Sequence, residues 1–148
     1  AGSYGMIKGQ VIDLYGETHD LSEAELIELH MGKTGAMICA SAQLGCLAAG
    51  FAPNHEMTEK LTSFAQKIGL VFQIIDDILD KTGDEKELGK SIGKDENSQK
   101  TTFLTFMSID EAMQMAKQLT DEAIASISKY EGSELLCELA EYLLNRRS

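Results

Sequence analysis

Apolar residues recur at three- and four-residue steps along most of the chain, and the clearest run passes through Leu61, Phe64, Ile68, Phe72, Ile75 and Leu79. That is the spacing of one face of an α-helix. Asn54 is placed to cap the start of this helix and Gly83 to end it. Upstream, Ser22 and Glu25 have the capping-box spacing and predict a helix from about Glu23 to near Gly50. It bends around Gly32-Lys33-Thr34-Gly35, where two glycines flank a lysine. Downstream, Ser108 with Glu111 opens a helix to about Tyr130, and Ser133 caps a last one ending near Arg146. Between them, residues 83–100 carry glycines at 83, 89 and 93 among charged and polar residues, the pattern of a loop. At the front, Gly5 and Gly9 lie one turn apart, a spacing that lets helices approach closely.

Composition supports helices throughout. Proline occurs once, at Pro53, tryptophan is absent, and Ala, Leu, Met, Glu and Lys crowd long stretches. The expected fold is all-α, one domain of 148 residues with 43% hydrophobic positions and no internal repeat. A net charge of -11 argues against nucleic acid as a partner, since no basic patch precedes Arg146 and Arg147. No run is long and apolar enough to predict a membrane span, and no signal peptide opens the chain, so the expected location is cytoplasmic. Cys39, Cys46 and Cys137 are odd in number and lack a CxxC spacing, which argues against a disulfide framework or a zinc site. The first residues, Ala1-Gly2-Ser3, lack an initiator methionine and suggest a fragment or a cleavage product.

The chemistry concentrates in Leu70-Val71-Phe72-Gln73-Ile74-Ile75-Asp76-Asp77-Ile78-Leu79-Asp80. At about 100° per residue, Gln73, Asp76, Asp77 and Asp80 share one narrow arc of the helix and apolar side chains fill nearly all the rest. Three carboxylates in the last turns repel one another and meet the negative end of the helix dipole, so a cation should compensate them. Asp76 and Asp80, at i and i+4, can reach one ion. Hard oxygen donors without His or Cys suit magnesium, which commonly bridges to phosphate oxygens. A solvated acidic helix end is the competing reading. An anionic ligand would in turn need lysines: Lys33-Thr34 lies at the glycine-flanked bend, and Lys90, Lys94 and Lys100 follow the acidic helix. Taken alone, these could equally be surface and loop lysines.

In order and spacing, Gly9-Gln10-x-x-Asp13, Lys33-Thr34, Phe72-Gln73-x-x-Asp76-Asp77-x-x-Asp80, Leu88-Gly89-Lys90 and Lys100-Thr101 resemble the second half of the trans-prenyl diphosphate synthases, the farnesyl and geranylgeranyl diphosphate synthase family. The resemblance covers essentially the whole chain. It implies that residues 1–148 are the carboxyl-terminal half of a polyprenyl synthase domain, part of an isoprenoid synthase helical bundle. The implied reaction joins isopentenyl diphosphate to an allylic diphosphate after magnesium-assisted ionisation of the latter. Asp76, Asp77 and Asp80 would then be the metal site, with Asp76 the direct ligand. Lys33, Thr34, Gln73, Lys90 and Lys100 would bind the allylic substrate. Lys33 and Lys90 would be catalytic, stabilising charge on the departing diphosphate.

Gln10 and Asp13 match a motif lining the family's cavity, and helix packing explains them about as well. Arg146 and Arg147 match basic residues that help close the site, or form a solubilising tail. The family's first aspartate-rich motif and its isopentenyl-binding basic motif are not among these residues. The separated chain is therefore expected to be inactive, to expose core residues of the acidic helix such as Phe72 and Ile75, and to pair with itself as a homodimer or with the missing half. Product length stays open between farnesyl and geranylgeranyl. Two other readings are a noncatalytic helical interaction module and a relative of terpene cyclases.

Overall fold

A computed structural model describes residues 2–88 and 100–146, with side chains placed outside 84–88. Among the described residues, six α-helices run in the order α1 (Met6–Gly16), α2 (Glu23–His30), α3 (Ala36–Ala48), α4 (Glu56–Leu88), α5 (Ile109–Ile127) and α6 (Glu134–Asn145). A π-type turn over Met31–Gly35 joins α2 to α3, a 3₁₀ turn over Phe103–Thr105 precedes α5, and there is no strand among the described residues. The all-α reading holds.

Helix α4, 33 residues long, is the axis of the fold and spans about 50 Å. Helices α5 and α6 pack along it, α3 and the π turn pack against it, and α1 lies across the π turn and α2. Its buried face assembles two core clusters. Leu70, Val71, Ile74, Ile75 and Ile78 meet Leu26, Phe103, Ala112 and Ala116, and toward its start Phe64 and Ile68 meet Ala123, Ile127 and Ala140. Alanines at the α5 and α6 contacts let those helices approach α4 closely.

The capping boxes form as the sequence predicts. Ser22 accepts from the Glu25 N–H at 3.3 Å and Ser108 from the Glu111 N–H at 3.3 Å, with each glutamate reaching back to the cap. At the end of α3, Gly50 has φ 88°. Its N–H donates to the Leu47 carbonyl and that of Phe51 to Cys46, each at 3.0 Å, a glycine-terminated helix end.

Several boundaries differ from expectation. Helix α4 starts after His55, whose Nδ1 accepts from the Met57 N–H at 3.1 Å, so His55 and not Asn54 provides the cap. It also runs through Gly83 to Leu88: a lone exposed glycine weakens a helix only modestly, and Thr82 bonds back to the Ile78 and Leu79 carbonyls. Helix α5 stops at Ile127, short of Tyr130. Ser133 precedes α6 but makes no side-chain cap.

The exposed apolar surface is also elsewhere. Ile75 is buried and Phe72 half-buried, whereas Ile7, Val11, Leu14 and Tyr15 of α1 and Met37, Leu44 and Leu47 of α3 face solvent. Helix α1 is thus inverted, burying Gly9, Asp13 and Gly16.

Candidate active site

Two glycine contacts set the site's backbone. A Cβ on Gly9 would fall 2.2 Å from the Lys33 nitrogen, and one on Gly69 would fall 3.2 Å from the Gly35 Cα. Helix α1 and helix α4 therefore grip the π turn from its two ends at backbone distance. That grip fixes Lys33 and Thr34 in space, at a widened turn of the kind that often marks functional sites.

The Asp13 carboxylate lies beneath Lys33, with only 6% of its side chain exposed. It takes the Lys33 ammonium on Oδ2 at 2.5 Å and the Lys100 ammonium on Oδ1. Burial would raise the Asp13 pKa, but the bonds from Lys100 and Lys33 outweigh it and hold the carboxyl below its ordinary value. Lys100 arrives on a segment fastened twice. The Leu21 N–H donates to the Thr101 Oγ1 at 3.2 Å, and the Phe103 N–H donates to the Asp77 Oδ2 at 2.8 Å.

His30, at the end of α2, is within reach of this cluster and of Gln73. Its ring stacks on Phe103 at 5.4 Å between centroids. Among the described residues, neither ring nitrogen has a hydrogen-bond partner of good geometry. Burial pushes the imidazole down to about 4, opposed by Gln73 and Asp13 and reinforced by Lys33 and Lys100. The ring is neutral at pH 7.

On α4 the acidic residues divide. Asp76 lies 3.5 Å from the Gln73 amide nitrogen and pairs with Arg146. That guanidinium also donates to the Phe72 carbonyl at 3.1 Å and sits 4.2 Å over the Phe72 ring. Asp77 turns to the Phe103 N–H, and burial, followed by the neighbouring charges of Asp80 and Asp76, raises its pKa to about 6 against that bond. Asp80 is exposed.

Among the described residues no three His, Cys, Asp or Glu groups converge as a metal would require. Asp76 and Asp80 are nonetheless hard oxygen donors one turn apart, and Asp76 already faces a cation, Arg146. That donor set fits a hard divalent ion that keeps several of its waters.

The structure thus brings Lys33 and Lys100 together on Asp13 and sets Gln73 beside Asp76, while the His30 ring stacks on Phe103. Thr34 sits half-buried on the π turn. Lys90, Lys94 and Arg147 lie outside the described residues. Sequence reasoning missed the part played by His30 and left that of Asp13 and Arg146 open. The one available signal for Asp13 was a carboxylate in register with two glycines on α1.

The profile of the polyprenyl synthetase family matches residues 2–142. The chain belongs to this family. It is 36% identical to the farnesyl diphosphate synthase of Haemophilus influenzae over 148 residues, 100% of this chain and 50% of that protein. To the geranylgeranyl diphosphate synthase of Cyanophora paradoxa it is 39% identical, covering 97% of this chain and 48% of the relative. Among solved structures, an FPP/GFPP synthase from Zymomonas mobilis superposes with a TM-score of 0.78 at 32% identity, covering 96% of this chain and 46% of that one. A geranyltransferase from Helicobacter pylori, complexed with magnesium and isoprenyl diphosphate, gives 0.70 at 33% identity over 97% of this chain and 46% of that one. The chain therefore spans about half the length of the relatives it matches. No helix of the described residues is long and apolar enough to cross a membrane.

Proposed function

We propose that residues 1–148 are the carboxyl-terminal half of a trans-prenyl diphosphate synthase, and that the whole protein joins isopentenyl diphosphate to an allylic diphosphate. The observation that carries this reading is the convergence of Lys33 and Lys100, from separate segments, on the buried Asp13 carboxylate. One ammonium is enough to neutralise the buried carboxylate, so the second leaves surplus positive charge suited to an anionic ligand.

In this reading Lys33 and Lys100 hold the allylic diphosphate, with Lys90 and Thr34 as further contacts, and Gln73 orients the Asp76 carboxylate. Asp76 and Asp80, with Asp77 behind them, would hold magnesium, which when bound supplies Lewis-acid stabilisation of the departing diphosphate. The lysines stabilise the same developing charge in a site that costs no reorganisation. His30, being neutral, adds no charge that would compete for the anion.

The exposed apolar faces of α1 and α3 support association with the other half of the synthase, or with a second copy. The three free thiols, Cys39, Cys46 and Cys137, suit a reducing, cytoplasmic compartment.

The test is equilibrium binding of geranyl diphosphate to the chain in magnesium buffer. Saturable binding that weakens at least tenfold in Lys33→Ala and in Asp76→Ala supports the reading. Binding unaffected by either substitution would sink it.

A further inference from the structure

We infer that Asp13 is a positioning residue for diphosphate capture: one buried carboxylate that holds Lys33 and Lys100, from separate segments, as a preset pair of ammonium groups. The inference rests on the reading of those lysines as diphosphate ligands and adds how they come to act together.

Burial is the first support. The Asp13 side chain is 6% exposed, while those of Lys33 and Lys100 are 40% and 48% exposed. The carboxylate is sunk below and the cations stand above it, facing solvent.

Valence is the second. Each carboxylate oxygen meets a different ammonium, and an ammonium has three donors. Both lysines therefore keep N–H groups free for another acceptor. Two positive charges over one negative leave a net single positive charge, whose complement is an anion with oxygens to share between two donors.

Rigidity of the mounting is the third. Asp13 is on α1, which is locked to the Lys33 backbone through Gly9. The Lys100 segment is fastened by the Leu21–Thr101 and Phe103–Asp77 bonds. Lysine is a flexible side chain with much rotamer freedom to lose on binding, so a carboxylate that spends that freedom in advance lowers the cost of taking up the anion.

Electrostatics and positioning predict opposite results when the carboxylate is neutralised. If Asp13 were only a nearby negative charge, Asp13→Asn would tighten anion binding. As a positioning residue, it must loosen it. Inorganic pyrophosphate is titrated into the chain, with and without magnesium, and followed by phosphorus NMR for the unsubstituted protein, Asp13→Asn, Lys33→Ala/Lys100→Ala and the triple variant.

The expected result is at least fivefold weaker binding in Asp13→Asn, and no further weakening when Asp13→Asn is added to the double lysine variant. Equal or tighter binding in Asp13→Asn, with the lysine variant still impaired, overturns the positioning role alone. Pyrophosphate binding that ignores the lysine substitutions overturns the diphosphate reading, and this inference with it. A second measurement needs no Asp13 variant. In the unsubstituted chain with carbon-13-methylated lysines, the Lys33 and Lys100 methyl signals should relax as restrained groups beside the exposed Lys81. Equal mobility at all three overturns the inference even if Asp13→Asn fails to fold.

Discussion

Replacing His30 with glutamine should change how stability responds to pH, and the sign follows from burial. The folded protein holds the imidazole at about 4, whereas an unfolded chain titrates near 6.5. Between those values the unfolded state binds the extra proton, so His30 costs stability as pH falls through 6.5 and contributes nothing of the kind above it. From pH 7 to pH 5 this loss is about 2 kcal/mol.

Asp77 acts in the opposite sense across an overlapping window. Its folded pKa is about 6, so the folded state takes the proton first and stability rises by about 1 kcal/mol over the same interval. The carboxyls held below their ordinary values, Asp13, Glu25, Glu111 and Glu122, affect mainly the more acid range. The unsubstituted chain should therefore change by only about 1 kcal/mol between pH 7 and 5, whereas His30→Gln should gain stability on acidification. Urea unfolding at half-unit steps, in buffer containing a chelator, gives the difference between the two curves. That difference removes every group common to them. It should grow by about 2 kcal/mol from pH 7 to 5. Parallel curves would refute the claim that the ring is held neutral by burial.

Other substitutions probe the packing and the acidic helix. Gly9→Ala places a methyl group 2.2 Å from the Lys33 nitrogen and should cost about 3 kcal/mol or more. Gly45→Ala on the open face of α3 meets nothing within 4 Å and should add about 0.5–1 kcal/mol; thermal melts separate the two. On sequence alone, Asp76→Ala is expected to leave stability unchanged or slightly raised, because three crowded carboxylates become two. The Arg146 guanidinium, 12% exposed, reverses that expectation: stripping its partner should cost about 1–3 kcal/mol, and adding Arg146→Ala should return much of the loss. In the whole enzyme, Asp76→Ala should lower turnover by orders of magnitude, and near-normal turnover would make Asp76 structural.

Local rules carried much of the fold. Capping boxes at Ser22 and Ser108, the glycine end at Gly50 and the periodic run from Leu61 to Leu79 each depend on a few adjacent residues, and each is where the sequence places it. What local pattern could not supply was distance. Gly83 looks like a stop until the Thr82 bonds to the preceding turn are seen, and Asn54 looks like a cap until His55 takes the position. Helix α1 had no readable direction, because its small and acidic residues face inward and its apolar ones outward.

The same limit applies to the site. The residue types of Lys33, Gln73, Asp76 and Lys100 were legible from motif order. That Lys100 would join Lys33 over Asp13, or that Arg146 would reach Asp76, depends on contacts between residues 70 or more positions apart. Asp77 shows the cost of reading a motif as a unit: its helical phase matches its neighbours, yet its carboxylate fastens the Phe103 backbone.

The central claim is that this chain supplies the allylic-diphosphate side of a prenyltransferase site whose remaining ligands lie in another segment. It is tested most directly by incubating the purified chain with labelled isopentenyl diphosphate, geranyl diphosphate and magnesium, alone and with a separately produced first half of the synthase. The account predicts no elongated product from the chain alone, product when the first half is added, and none when Lys33→Ala/Lys100→Ala replaces the chain in that mixture. Full activity from the chain alone, or undiminished product with the lysine variant, would contradict it.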